Sequence, residues 1–205
     1  CLRAVELGAE LVRECRDRGA AIIATGEMGI GNTTTSSALA SVLLGRSPSD
    51  VTGRGAGLSD HGLARKIAAI ERAVSVNHPD PSDPIDALSK VGGLDIAGLC
   101  GIFLGGALYR VPVVIDGFIS GTAALCAARL RPGAEFAMPP SHVSAEPAGG
   151  LMLRALGLTP LITAGMRLGE GSGAVAALPL LDMALAVYHS GQTFSRLGID
   201  AYTPQ

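Results

Sequence analysis

Residues 21–35, AIIATGEMGIGNTTT, contain the change of pattern that decides the fold. The short apolar run 21–24 is followed by a loop with Gly26, Gly29 and Gly31, and three threonines then begin a periodic apolar segment. This order predicts a strand, a loop and a helix. Glycines allow a loop to turn its N–H groups towards one point, and a helix N-terminus favours an anion. The stretch therefore predicts either a phosphate site or a glycine-rich turn without a ligand.

The glycine spacing is close to that of a P-loop but lacks its lysine. Asn32 stands where that motif places the lysine that contacts the β- and γ-phosphates. Glu27 also lies inside the loop, and its carboxylate would repel a polyphosphate. We therefore expect a single phosphate or the adjoining sugar, and not a nucleoside triphosphate.

Apolar runs typical of strands alternate with helical periods along the rest of the chain, which predicts an α/β fold with a mostly parallel sheet. Val111–Ile115 is one predicted strand and Glu135–Ser141 another. Polar side chains follow these runs at Asp116 and Ser144, as Glu27 follows the first. In a parallel sheet such positions meet at one edge, so we expect a shared crevice.

Several candidate residues have two interpretations at this stage. Lys66 lies near the apolar face of a predicted helix, where most lysines are solvated. Asp116 is a ligand or a helix cap. His142 is a general base or a structural histidine. Glu170, in MRLGEGSGA at 166–174, is a functional carboxylate or a first-turn partner of a helix dipole, with Ser172 as the cap.

Composition excludes several classes of protein. Hydrophobic residues make up 48% of the chain, and the net charge of −2 provides no basic field, so we expect a globular protein without nucleic-acid binding. The four cysteines and four histidines are scattered, so no metal site is expected. Reduced cysteines and the lack of a visible signal peptide or confident membrane span favour a cytoplasmic protein.

Four motifs in order resemble the nicotinate-nucleotide:dimethylbenzimidazole phosphoribosyltransferase family of cobalamin lower-ligand assembly. They are GEMGIGNTT at 26–34, DG at 116–117 with Ser120, SHVSAEP at 141–147 and MRLGEGSGA at 166–174. The resemblance implies a three-layer Rossmann-like parallel sheet flanked by helices, with a small helical appendage. It also implies transfer of ribosyl phosphate from nicotinate mononucleotide to dimethylbenzimidazole, without a cofactor or metal.

The same resemblance implies roles for individual residues. Glu170 becomes the catalytic base, and Glu27 shares in stabilising the transition state. Lys66 becomes an active-site cation. The family pattern places the following residues around the substrates: Gly29, Ile30, Gly31, Lys66, Asp116, Gly117, Ser120, Ser144, Leu168 and Gly169.

The resemblance also has consequences for the extent of the protein. The family is usually longer at the N-terminus, and this chain begins with Cys1 inside a helical pattern. We therefore expect residues 1–205 to be one α/β domain, the larger C-terminal part of a longer enzyme. Preceding residues would supply part of the appendage, and residues 175–205 would join it. The resemblance implies a homodimer.

Two alternatives to this function stay open. The first is a phosphoribosyltransferase for another aromatic acceptor. The second is a catalytically incomplete nucleotide-binding chain. Relatives often continue SHVSAEP with Gly-His, whereas this sequence has Ala148-Gly149-Gly150, so any role of that histidine is absent here.

Overall fold

The fold is helix-rich and contains one small parallel sheet. The computed structural model describes residues 1–191 and 193–200, with these helices: α1 Leu2–Asp17, α2 Asn32–Leu44, α3 Pro48–Val51, α4 Asp60–Asn77, α5 Pro84–Val91, α6 Leu94–Tyr109, α7 Phe118–Leu130, α8 Gly149–Ala155, α9 Ser172–His189 and α10 Phe194–Leu197.

The sheet joins segments that are far apart in the chain. Strand β1, Ile23–Ala24, pairs in parallel with strand β2, Val113–Val114, and the first residues of the two strands are opposite each other. Two isolated parallel bridges continue this pairing, Ile115 with Pro140 and His142 with Ile162. The predicted α/β fold with a parallel sheet is confirmed, although the strands are short.

The predicted strand Glu135–Ser141 is wrong over its first half. Residues Ala134–Ala137 form a 3₁₀ turn that follows Gly133, whose φ is 92°. Pairing with β2 begins at Pro139, whose carbonyl oxygen accepts the N–H of Ile115. Because Pro139 and Pro140 have no N–H, they supply no donors to a ladder, and pairing here is confined to a short stretch.

Local signals in the sequence account for several helix ends. The Ser59 hydroxyl accepts the N–H of Gly62 and caps α4. The carboxylate of Asp83 accepts two backbone N–H groups at the start of α5, whose first residue is Pro84. Gly45 ends α2 in the left-handed conformation. These caps fix the helices that surround the sheet.

The core lies between α2, α6 and α7. Its fully buried side chains include Leu39, Ile96, Phe103 and Leu125. Helix α6, which is rich in small and apolar residues, lies against α1 and α7. This packing holds the end of β2, where Asp116 follows the strand.

Helix α9 is mostly exposed, although it is apolar. Val175, Met183, Val187 and Tyr188 all expose more than half of their surface. By length and composition α9 also meets the criterion for a membrane-spanning helix, a criterion that buried helices of soluble proteins meet as well. The assignment of residues 175–205 to an appendage stays a prediction, and its positions 192 and 201–205 lie outside the described residues.

Candidate functional site

A cleft lies where β1, β2 and the bridged segments end. Four loops, at 26–33, 116–120, 142–146 and 167–169, supply most of its wall, and the connection before α4 supplies the rest. The cleft is lined by Glu27, Met28, Gly29, Thr33, Gly55, Ala56, Asp116, Gly117, Phe118, Ile119, Ser120, His142, Ser144, Glu146, Arg167, Leu168 and Gly169. The predicted convergence of loops at one edge of the sheet is present in the structure.

The two glycine-rich loops are in direct contact. The N–H of Glu170 donates to the carbonyl oxygen of Glu27 over 2.9 Å. Gly26 lies so close to Gly171 that a Cβ on Gly26 would be 2.5 Å from the Gly171 nitrogen. A side chain at position 26 would therefore separate the loops, which explains why glycine is needed there.

Glu27 closes its own loop. Its carboxylate accepts the N–H of Gly29 over 2.5 Å, and its side chain is partly buried in the cleft wall. One N–H group that the sequence suggested for a phosphate is therefore bonded to a protein carboxylate. The glycine loop is therefore a turn shaped by the Glu27 side chain, and the N–H of Gly29 is not free to bind a phosphate.

Asp116 is buried and bonded to the start of α9. Its Oδ1 accepts the N–H groups of Gly173 and Ala174 over 2.8 and 3.0 Å, and its Oδ2 accepts that of Gly171 over 3.1 Å. The side chain is 3% exposed. Of the two interpretations, the cap is the one that the structure supports, but Asp116 caps a helix 55 residues further along the chain.

Ser172 does not have the capping role suggested for it. It is the first residue of α9, Gly171 occupies the cap position, and no side-chain cap is formed by the helix's own residues. The Ser172 hydroxyl is buried without a hydrogen-bond partner in the described part of the chain. Because Asp116 reaches the free N–H groups from another element, a local cap is not required.

Ser120 is bonded within the protein. Its hydroxyl accepts the N–H of Asp116 over 3.2 Å and lies 2.6 Å from the Thr25 hydroxyl. Since the Thr25 hydroxyl donates to the carbonyl oxygen of Val114, Ser120 donates to Thr25. These bonds tie the ends of β1 and β2 together beneath the cleft.

Lys66 is buried, in contrast to most lysines on amphipathic helices. Its Nζ donates to the Thr33 hydroxyl and to the carbonyl oxygen of Gly53, both over 3.0 Å, and the residue is 7% exposed. Burial lowers the pKa of Lys66, and the negative charge of Glu146 opposes that shift. Lys66 thus places a cation behind Thr33, at the start of α2.

His142 lies against the Asp116 site. Its Nδ1 is 3.0 Å from the Ser141 hydroxyl, which donates to the carbonyl oxygen of Asp116. The hydroxyl has one proton, so the Nδ1 of His142 is the donor, and Nε2 is left as an acceptor. Burial lowers the pKa of His142, against the opposing charge of Asp116, so the neutral ring is favoured.

The cleft includes most of the residues predicted for the site. Eight line it: Glu27, Gly29, Asp116, Gly117, Ser120, Ser144, Leu168 and Gly169. Four do not: Ile30, Gly31, Lys66 and Glu170. Lys66 reaches the wall through Thr33, whereas the side chain of Glu170 is exposed beside the cleft.

Sequence reasoning did not assign site roles to several lining residues. Glu146 and Arg167 lie inside the motifs SHVSAEP and MRLGEGSGA, so their membership of these motifs could have indicated that they lie at the site. Thr33 likewise lies inside the motif GEMGIGNTT, whereas Ala56 had no comparable signal beyond its loop. Across residues 1–191 and 193–200, no three His, Cys, Asp or Glu side chains are grouped so as to hold a metal ion.

Comparison with known proteins places this geometry in a family. The sequence model of a family described as phosphoribosyltransferase matches residues 1–199. A nicotinate-nucleotide–dimethylbenzimidazole phosphoribosyltransferase of Ruminiclostridium cellulolyticum is 50% identical over 203 residues, which are 99% of this chain and 58% of that protein. The enzyme of the same name from Desulforudis audaxviator is 51% identical over 96% of this chain and 56% of its own length.

A solved structure agrees with these sequence matches. The crystal structure of CobT from Thermus thermophilus superposes with a TM-score of 0.90 at 40% identity, covering 98% of this chain and 60% of that one. The chain therefore spans somewhat more than half the length of the relatives that it matches.

Proposed function

The chain belongs to the nicotinate-nucleotide:dimethylbenzimidazole phosphoribosyltransferase family, and from this premise we propose that it takes part in cobalamin lower-ligand assembly. In the proposed reaction, nicotinate mononucleotide gives its ribosyl phosphate to a ring nitrogen of dimethylbenzimidazole. Nicotinate leaves, and the product is the α-riboside phosphate. The bond from C1 of the ribose to the nicotinate nitrogen breaks while the bond to the acceptor nitrogen forms.

The chemistry requires a base and a good leaving group. Nicotinate in the nucleotide is a pyridinium, so its departure neutralises the ring and no metal is needed in this scheme. The acceptor must lose the proton on its other ring nitrogen, and we propose that Glu170 takes it. Glu27, in the cleft wall, would stabilise positive charge developing on the ribose.

The contact between the two glycine loops is the observation that supports this proposal most directly. The bond from the Glu170 N–H to the Glu27 carbonyl oxygen joins the backbones of the two carboxylate-bearing residues. Glu27 lines the cleft and the Glu170 side chain is exposed beside it. An acceptor base positioned over the exposed Glu170 would face a nucleotide held in the cleft.

We assign the cleft to the nucleotide. Arg167 lines it, and Lys66 lies behind Thr33, so two cations are available near a phosphate. Gly117, Ser144 and Gly169 offer backbone or hydroxyl groups in the same wall. The remaining family positions, Ile30, Gly31 and Leu168, are proposed to contact the acceptor or the phosphate at the rim.

The test separates binding from transfer. Calorimetric titration of the folded chain with nicotinate mononucleotide measures the nucleotide site, and release of nicotinate in the presence of dimethylbenzimidazole measures transfer. Replacing Glu170 by Gln keeps the shape and removes the base, so we expect transfer to fall about 100-fold or more with nucleotide affinity unchanged. The Glu71→Gln variant, on the exposed side of α4, is the matched control. Transfer by Glu170→Gln at the wild-type rate would contradict the assignment.

A nucleotide-binding chain without transfer activity is the second candidate. It is favoured by the exposure of the Glu170 side chain outside the cleft lining. Saturable binding of nicotinate mononucleotide with no transfer to dimethylbenzimidazole, or to any other aromatic acceptor, would select this alternative.

We further propose that the chain acts as a cytoplasmic homodimer on small-molecule substrates. The exposed apolar surface of α9 supports self-association, because an apolar surface of this kind is costly to leave in water. Sedimentation over micromolar concentrations tests this part of the proposal.

A further inference from the structure

The carboxylate of Asp116 is the anchor of the loop that contains Glu170. Three backbone N–H groups, those of Gly171, Gly173 and Ala174, point at its two oxygens. A buried carboxylate that accepts several N–H bonds at a helix N-terminus is well stabilised, because the bonds are charge-assisted and the helix dipole has a favourable sign. Asp116 thus fixes both sides of Ser172.

The loop that Asp116 holds has an unusual backbone. Gly169, Glu170 and Gly171 all have positive φ, with values of 77°, 57° and 80°. Glycine tolerates this region, but Glu170 carries a Cβ and is disfavoured there. Such a conformation persists when surrounding contacts determine it. The contacts here are the Glu27 carbonyl oxygen on one side of Glu170 and the Asp116 carboxylate on the other.

The start of α9 packs closely against His142 and Asp116. A Cβ on Gly173 would lie 2.0 Å from Nδ1 of His142 and 2.9 Å from Oδ1 of Asp116. Ser120 holds the N–H of Asp116, and Ser141 holds its carbonyl oxygen. The aspartate is therefore fixed to the sheet end by its backbone and to the Glu170 loop by its side chain.

We propose that Asp116 is a positioning residue, which holds Glu170 in the conformation required for proton removal and is not itself a ligand of the nucleotide. The inference rests on the proposed function, since it assigns a role in that same reaction. The Asp116 carboxylate accepts the N–H groups of Gly171, Gly173 and Ala174, so this residue of the cleft wall acts on Glu170 through the start of α9 and the loop before it.

The first experiment measures the hydrogen bonds between Asp116 and the start of α9, and it does not depend on enzymatic activity. Amide hydrogen exchange of the wild-type chain, followed by NMR, should show protection at Gly171, Gly173 and Ala174. Leu168, whose amide has no acceptor among the described residues, is the internal reference. Exchange at the three amides as fast as at Leu168 would overturn the proposal, and this arm requires no variant to fold.

The second experiment uses Asp116→Asn, which keeps the size but removes the charge and one acceptor. We expect exchange at the three amides to accelerate at least tenfold, with the rest of the chain unchanged. Asp83→Asn is the matched control, because Asp83 also accepts two backbone N–H groups at a helix start but lies outside the cleft. Faster exchange confined to α5 is expected for that control.

The kinetic consequence distinguishes positioning from binding. For Asp116→Asn we expect kcat to fall about 100-fold, since small misplacement of a reacting group has effects of that size, while the Kd for nicotinate mononucleotide changes less than about threefold. A tenfold weaker Kd with unchanged kcat would overturn the proposal and make Asp116 a ligand. If the wild-type chain performs no transfer, the proposed function fails, whereas the exchange data still decide whether Asp116 anchors the loop.

Discussion

At the scale of single residues, His142 connects burial to a measurable response to pH. The ring is 4% exposed, and its Nδ1–H donates to Ser141 beside the buried Asp116. Burial favours the neutral ring, so the folded-state pKa lies below the value near 6.5 of an unfolded histidine. At pH values below about 6.5 the unfolded chain then binds more protons than the folded one.

Stability should therefore fall as the pH is lowered from 7 towards 5, by about 1.4 kcal/mol for each unit by which the pKa is lowered. Urea unfolding at pH 7.0 and 5.5 measures this loss. In His142→Asn the loss should be smaller than in the wild type, whereas the exposed His61→Gln should behave like the wild type. An equal pH dependence in all three proteins would show that His142 titrates normally.

The charge of Arg167 tests whether the cleft binds an anionic nucleotide. Its side chain is exposed, it lines the cleft, and the same wall holds the acidic residues Glu27 and Glu146. If an anionic nucleotide occupies the cleft, Arg167→Gln should weaken its binding about twofold to fivefold, and the difference should shrink in high salt. Arg72→Gln on α4 is the control. Calorimetry at two salt concentrations measures the nucleotide affinity of each variant. An affinity of Arg167→Gln equal to that of the wild type would place the nucleotide away from Arg167.

At the scale of elements, α1 and α6 pack through glycines at a distance that side chains would prevent. A Cβ on Gly101 would lie 1.9 Å from the carbonyl oxygen of Val5, and one on Gly8 would lie 2.1 Å from that of Gly98. By contrast, the nearest atom to a Cβ on Gly98 is the carbonyl oxygen of Ala4 at 4.0 Å. The two glycines of α6 are three residues apart but differ in available space.

Alanine at these two positions should have opposite effects. Gly101→Ala is expected to lower the free energy of unfolding by about 1–3 kcal/mol, because the helices must separate. Gly98→Ala should raise it by up to about 1 kcal/mol, because alanine favours a helix over glycine. Urea unfolding of the two variants is the measurement. Equal stability of the two would show that α1 does not pack closely on α6.

Helices were more predictable from the sequence than the sheet and the site. Ser59 and Asp83 are local capping signals at the starts of α4 and α5. The short sheet depends on which distant segments pair, and the prolines at 139 and 140 limit it in a way that the apolar run alone did not indicate. Likewise the capping of α9 by Asp116 joins residues more than 50 positions apart, so no local pattern reveals it.

At the scale of the whole molecule, the distribution of apolar surface is uneven. The core between α2, α6 and α7 is closed, whereas α9 exposes Met183 at 58% and Val187 at 75%. Burying such side chains contributes roughly 1.5–3 kcal/mol each, which makes association favourable when a partner surface is available.

We expect the chain to self-associate through α9 at micromolar concentration. Sedimentation equilibrium should show a species of twice the monomer mass of 20.7 kDa. The double variant Met183→Lys, Val187→Lys should shift the equilibrium towards the monomer, because charged side chains are costly to bury in an interface. Val76→Lys, at an exposed apolar position near the end of α4, is the control and should leave association unchanged. A wild-type chain that sediments as a monomer throughout would refute the homodimer. Loss of the dimer in the control as well would show that the effect of the lysines is not specific to α9.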